Sequence, residues 1–179
     1  MPRERFVAEE HRADAYANRP LPIGAGQTIS QPLVVAVMCR LLDVHPGDRV
    51  LDVGTGSGWH AALLAWLGGE VWSVERHAEL SVRAAGCLTA AGIHGVHLVV
   101  GDGSRGHPEA APFDAINVAA AASGDIPGAL IEQLAPGGRL VAPVGGPEDQ
   151  RLILVRRAPD GTLSRTDAGG VRFVPLVRE

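Results

Sequence analysis

The chain has 179 residues, 46% of them hydrophobic and 20% charged, which suits one domain with a sizeable buried core. Sixteen Lys and Arg against 20 Asp and Glu leave a net charge of −4, so there is no basic footprint for nucleic acid. Apolar runs such as Leu33 to Met38 are too short to cross a bilayer, and the polar, acidic start lacks the apolar stretch of a secretion signal. No membrane role is expected, and the cytoplasm is the expected location. Cys39 and Cys87 sit in apolar, helix-like contexts and read as reduced core thiols, and the seven histidines show no metal-ligand spacing.

Residues 1–27 are polar, with prolines at 20 and 22, and predict an irregular or short-helical arm. From Gln31, the apolar residues Val34, Val37, Met38, Leu41 and Leu42 recur at helical spacing, with Pro32 where a first turn tolerates it. Strands and helices then alternate. Arg49 to Val53 predicts a strand, Gly54 to Gly58 a turn, and Trp59 to Leu67 a helix closed by Gly68 and Gly69. A second strand follows at Glu70 to Val74, a helix at His77 to Ala91, and a third strand at Val96 to Val100. After a loop from Gly101 to Pro112 come a strand at Asp114 to Val118, a helix at Ile126 to Leu134 and a strand at Arg139 to Val144. Such alternation predicts an α/β fold, a doubly wound, mostly parallel sheet covered on both faces. Arg151 to Arg157 and Val171 to Leu176 lack an intervening helix and predict an antiparallel pair at the sheet edge. No repeat or linker divides the chain, so residues 1–179 read as one domain, an arm (1–30) on a Rossmann-like core (31–179).

The stretch Leu51-Asp52-Val53-Gly54-Thr55-Gly56-Ser57-Gly58 places a glycine-rich turn between a strand and a helix. Glycines let backbone N–H groups approach a ligand, and such turns lie at the ligand-binding ends of doubly wound sheets. A tight turn with nothing bound is the plain alternative. Gly56 to Ala61 also fits the looser dinucleotide fingerprint, and Glu75 follows at a suitable distance, which leaves a nicotinamide enzyme open. At a strand end, Glu75 can accept hydrogen bonds from both hydroxyls of a ribose, or can be a solvated charge. Asp52 lies inside an apolar strand, where an unpaired carboxylate is costly, and an incoming ammonium or backbone donor would satisfy it. Gly101-Asp102-Gly103 can meet an adenine, or be an ordinary turn.

Pro20-Leu21-Pro22-Ile23-Gly24-Ala25-Gly26-Gln27-Thr28-Ile29-Ser30-Gln31-Pro32 closely resembles the signature of protein-L-isoaspartate O-methyltransferases. Leu51 to Gly58, Gly101 to Gly103 with Ala111 to Ile116, and Gln133 to Gly145 are similar to that family in order and spacing, and Val171 to Leu176 resembles its C-terminal strand. The resemblance implies a seven-stranded, Rossmann-like methyltransferase domain whose last strand pairs antiparallel. It implies S-adenosylmethionine as the cofactor, S-adenosylhomocysteine as its product, and isoaspartyl proteins or peptides as partners. It places Ser30 at the methyl-accepting carboxylate, with Gln27, Thr28, Ile29 and Ser30 along cofactor and substrate. Asp52, Gly54, Gly56, Ser57 and Gly58 belong to the implied cofactor turn, Glu75 is implied to bind the ribose and Asp102 the adenine, and Arg76, Gly101 and Gly103 are implied to line the cofactor beside them. Val174 is implied to offer backbone contacts to the peptide. Ser30 has a second reading, as N-cap of the helix at Pro32.

The implied reaction moves a methyl group from a sulfonium to a carboxylate oxygen. A carboxylate is ionised near neutrality, its reference pKa being about 4, so no strong base is required. The sequence shows no His–Asp or Cys–His arrangement, and Ser30 orients rather than attacks. His60 and His107 receive no role; His60 reads as a surface or core residue. Relatives usually carry a helical segment before the stretch that resembles Pro2 to Val7 and continue past Leu176, so a more exposed cofactor, a different peptide grip or a completing partner chain is expected. Trp59-His60 also departs from the pair common after the glycines. A monomer is the favoured state. General repair of isoaspartyl sites leads, beside a dedicated peptide-tailoring methyltransferase of the same chemistry and a relative that binds cofactor without turnover.

Overall fold

A computed structural model describes residues 1–178. Its centre is a seven-stranded sheet of β3 (Arg49–Val53), β4 (Glu70–Glu75), β5 (Val96–Val100), β6 (Phe113–Val118), β7 (Leu134–Gly145), β8 (Gln150–Arg157) and β9 (Leu163–Val171), in the spatial order β5-β4-β3-β6-β7-β8-β9. Neighbours from β5 to β7 run parallel; β7 with β8, and β8 with β9, run antiparallel. The doubly wound sheet and its antiparallel C-terminal edge are therefore as the sequence predicts.

The parallel strands are apolar runs because both sheet faces are covered. On one face, Met38 and Leu42 of α1 (Pro32–Leu42) and Ala61 and Leu64 of α2 (Trp59–Trp66) pack with Val50, Val71, Ala115 and Val141. On the other, Leu130 of α4 (Gly128–Glu132) joins Leu51, Phe113, Ile116 and Leu140. Leu80 and Leu88 of α3 (Ala78–Ala90) pack with Phe6, Leu21, Ile23 and Trp59, so the first 30 residues share a core with the helices.

Three segments depart from expectation. The arm contains the predicted short helical turns, Arg3–Phe6 and Glu9–Asp14, but also a hairpin of β1 (Leu21–Gly24) and β2 (Gln27–Ile29). Its two-residue turn holds Ala25 and Gly26 at φ 51° and 69°, the left-handed geometry that tight hairpins favour. Pro22 is accommodated because a two-stranded ribbon is all edge. At the other end, the last strand is Leu163–Val171, not Val171 to Leu176. It is polar and mostly exposed because it is the sheet margin, and so lacks the apolar alternation that marks a half-buried strand. Beyond it the chain leaves the sheet and crosses the strand ends, where Ala121 N–H donates to the Val174 carbonyl (2.8 Å) and Leu176 N–H to the Ala121 carbonyl (2.7 Å). The third departure is α4, which is shorter than expected, while β7 begins at Leu134. No helix among the described residues is long and apolar enough to cross a membrane.

Candidate active site

β3 ends at Val53, next to both β4 and β6, the point where the sheet's connections diverge and open α/β sheets bind ligands. The backbone there turns through Gly54, Gly56 and Gly58. Gly56 has φ 52°, and a β-carbon on it would stand 3.2 Å from Ile23 Cδ1; at Gly58, φ 86° and the closeness of Ala84 set the same requirement. Glu75, at the end of β4, is 5% exposed and fixed by this turn. Gly56 N–H donates to its Oε2 (2.9 Å) and His77 N–H to its Oε1 (3.0 Å). A carboxylate offers about four acceptor positions, so both oxygens retain capacity toward the pocket they border.

Beneath the turn lies a polar chain that the sequence did not announce. Asp52 is wholly buried, but it does not face an incoming ammonium, as its position had suggested. Ser73 Oγ donates to Asp52 Oδ2 (2.6 Å) and Asn117 Nδ2 to Oδ1 (2.7 Å). Ser73 and Asn117 are the residues opposite Asp52 on the two flanking strands, so the sheet itself supplies both donors. Thr55 Oγ1 continues the chain to Ser73 (2.6 Å), and Asn117 Nδ2 reaches His60 Nδ1 (3.1 Å). Burial raises the Asp52 carboxyl to about 6 against the opposing pull of these two hydrogen bonds, and burial lowers His60 to about 4.

Above the turn, one crevice divides into three compartments that share Thr28 and Ala119. The largest, about 730 Å³, is a cleft with Ser30, Gln31 and Val174 in its wall and Glu148, Asp149 and Arg172 around it. The second, about 120 Å³, is bordered by Gln27, Gly54, Gly56, Glu75, Arg76 and Gly103. The smallest, about 40 Å³, is lined by Ile29, Ser30, Gly56, Ser57 and His60 among others. Ser30 thus stands where the large cleft meets the small compartment. Its hydroxyl has no partner among the described residues, and the cap of α1 is Gln31, so the helix-capping reading of Ser30 fails.

Of the expected residues, Gln27, Thr28, Ile29, Ser30, Gly54, Gly56, Ser57, Glu75, Arg76, Gly103 and Val174 border the crevice. Asp52 lies behind it, and Gly58 starts α2 and packs on Ala84. Gly101 and Asp102 follow β5 beside the wall, where Asp102 Oδ1 accepts from Ser104 N–H (2.9 Å). Val174 directs its carbonyl to Ala121 instead of the cleft.

Sequence reasoning missed Ala119, His60 and Arg3. Ala119 follows β6, and its place beside β3 at the point of divergence was the available signal. Arg3 is completely buried, donates to the carbonyls of Ser30 (3.0 Å), Ile29 (3.4 Å) and Ala15, and stacks on Trp59. It thereby ties the arm to the backbone that carries Ser30.

The sequence matches, over residues 1–179, the family model described as protein-L-isoaspartate(D-aspartate) O-methyltransferase. The chain belongs to this family. It is 56% identical over 177 residues to a protein-L-isoaspartate O-methyltransferase of Methylorubrum populi, covering 98% of this chain and 82% of that one. A relative of the same description from Methanoculleus marisnigri is 53% identical, covering 99% and 80%. Among solved structures, a protein-L-isoaspartate O-methyltransferase superposes with a TM-score of 0.86 at 29% identity, covering 98% of this chain but only 58% of the other. A candidate protein-L-isoaspartate O-methyltransferase from Plasmodium falciparum, solved in complex with S-adenosyl-L-homocysteine, gives 0.83 at 27% identity and covers 99% and 86%.

Proposed function

We propose that the chain is an S-adenosylmethionine-dependent methyltransferase that esterifies the free carboxylate of L-isoaspartyl residues in damaged proteins and peptides. The observation that carries this reading is Ser30, whose unpaired hydroxyl stands where the large cleft meets the small compartment at the glycine turn. The structure of the relative with S-adenosyl-L-homocysteine supports the choice of cofactor.

The residues present fit that cofactor. Gly54 and Gly56 of the turn border the pocket, and Glu75 is pinned at its edge with lone pairs to spare for a ribose diol. Gln27, Thr28 and Gly103 complete the wall around this pocket, with Asp102 beside it for the adenine amino group. When bound, S-adenosylmethionine supplies an electrophilic methyl carbon on a positively charged sulfur.

The protein's own work is alignment. Ser30 donates a hydrogen bond to the acceptor carboxylate and turns one oxygen toward the methyl carbon. Arg3 holds the backbone of Ile29 and Ser30 in place while this happens. Positioning of this kind is worth roughly 7–11 kcal/mol of barrier. A cation and an anion combine to neutral products, so excluding water favours the reaction over the separated, hydrated ions. No residue needs to remove a proton. The C-terminal crossing lines the cleft at Val174 and offers its backbone N–H to an extended peptide. The arm and the sheet work as a single catalytic domain, because Phe6, Leu21 and Ile23 share their core with Trp59 and Leu80.

Initial rates of methyl transfer to an isoaspartyl peptide and to its aspartyl twin test the proposal. Transfer to the isoaspartyl form alone is expected; transfer to both, or only to one particular aspartyl sequence, favours a dedicated tailoring enzyme, and transfer to neither defeats the reading.

A further inference from the structure

His60 carries an unmade hydrogen bond at the wall of the active site. It sits on the first turn of α2, 8% exposed, and its neighbours fix its chemical form. Asp52 accepts from Ser73 and also from Asn117. A carboxylate can only accept, so the end of Asn117 that faces it is the NH₂ group. The other hydrogen of that NH₂ is directed to His60 Nδ1, 3.1 Å away. Nδ1 therefore accepts, and the ring hydrogen is on Nε2. Burial disfavours the imidazolium and lowers His60 to about 4, so near neutral pH the ring is an uncharged, single-handed donor.

That Nε2–H has no partner among the described residues and almost no exposed surface. Buried donors are rarely left unpaired in folded proteins, and an exception at a cavity wall points to an acceptor brought by a ligand. The compartment His60 lines, about 40 Å³, also contains Ser30, Ser57 and the glycine turn in its wall, and no acidic side chain. His60 is part of this wall, and its remaining donor is Nε2–H.

We propose that His60 is a binding residue whose Nε2–H donates to a carboxylate at this end of the crevice, alongside the Ser30 hydroxyl. The inference rests on the methyltransferase reading, which brings two such groups to the site: the amino-acid carboxylate of the cofactor and the isoaspartyl acceptor. Asn117 is the positioning residue that holds the donor in its tautomer.

Calorimetry on the full chain with S-adenosylhomocysteine and with its decarboxylated analogue, together with KM for an isoaspartyl peptide, decides between them. His60→Leu should cost roughly 10- to 100-fold, the effect of losing a hydrogen bond to a charged group. If the loss appears with S-adenosylhomocysteine and vanishes with the decarboxylated analogue, the carboxylate is the cofactor's. If S-adenosylhomocysteine affinity holds while KM rises, it is the acceptor's. In either case His60→Gln, which keeps an N–H donor, should recover most of the loss. Should His60→Leu not fold, the Nε2–H resonance of the unaltered protein gives the same answer, because it must shift when the relevant carboxylate binds. Unchanged affinity and unchanged KM in His60→Leu, or an Nε2–H signal blind to both ligands, overturn the proposal. An unaltered protein with no affinity for S-adenosylhomocysteine would instead bring down the methyltransferase reading itself.

Discussion

Replacing His60 by Gln should change how the fold responds to acid, because His60 and Asp52 titrate in opposite senses. Asp52 is raised from its ordinary 3.8 to about 6, so the native state holds a proton that the unfolded chain releases between those values. Its contribution to stability therefore grows as pH falls through that window. His60 is lowered from 6.5 to about 4, so the unfolded chain gains a proton that the native state refuses. Its contribution is lost as pH falls from 6.5 to 4. The step from 6.5 to about 4 corresponds to ~3 kcal/mol and that from 3.8 to about 6 to a similar amount, so between pH 6 and 4 the two nearly cancel. His60→Gln removes only the histidine's share. The variant should gain ~3 kcal/mol on the unaltered protein between pH 7 and pH 4, whatever fixed offset the substitution brings. Urea unfolding of both proteins across that range measures the difference directly. Parallel stability profiles would refute the argument, since His60 would then have no depressed titration in the native state.

Other substitutions test separate parts of the site. Ser30→Ala should lower methyl transfer roughly 10- to 100-fold while S-adenosylhomocysteine affinity and melting temperature stay near their original values; a lower melting temperature with intact turnover would contradict the role of its hydroxyl. Glu75→Ala should weaken S-adenosylhomocysteine, measured by calorimetry, by about 1.5–3 kcal/mol before it affects the acceptor, because it removes a charge-assisted acceptor. Arg3→Met should lower the unfolding free energy by about 1–3 kcal/mol, because the carbonyls of Ile29 and Ser30 lose their donor. It should also reduce turnover further than the stability loss alone explains, and a fully active variant would remove Arg3 from the positioning argument.

The parts of the fold that could be read from the sequence are those whose cause is local. Short apolar runs punctuated by glycines gave β3 to β6 and the helices between them, because a strand buried on both faces needs nothing else to declare itself. The hairpin at Leu21–Gly24 and Gln27–Ile29 was hidden by Pro20 and Pro22, whose cost vanishes at an exposed edge. Leu163–Val171 was missed because a margin strand has no face to bury, and the apolar Val171 to Leu176 stretch that drew attention packs across the site instead. At the site, Glu75 and the glycine turn were legible from their places at strand ends, and Ser30 only through the family resemblance; all three border the crevice. The burial of Asp52 was anticipated, but its partners were not. They depend on strand register, which sets Ser73 and Asn117 opposite it; the polar residue interrupting each of three apolar strands was the trace available. His60 was beyond reach, since an unpaired nitrogen is a property of what surrounds it.

The central claim is that one crevice holds a methyl donor against the glycine turn and brings an isoaspartyl carboxylate to it at Ser30. A crystal structure with S-adenosylhomocysteine and an isoaspartyl peptide tests it most directly. The ribose hydroxyls should rest on Glu75, and a carboxylate oxygen should sit within hydrogen-bonding distance of Ser30 Oγ. A cofactor seated away from Glu75, or a peptide whose carboxylate lies out of reach of Ser30, would contradict the account.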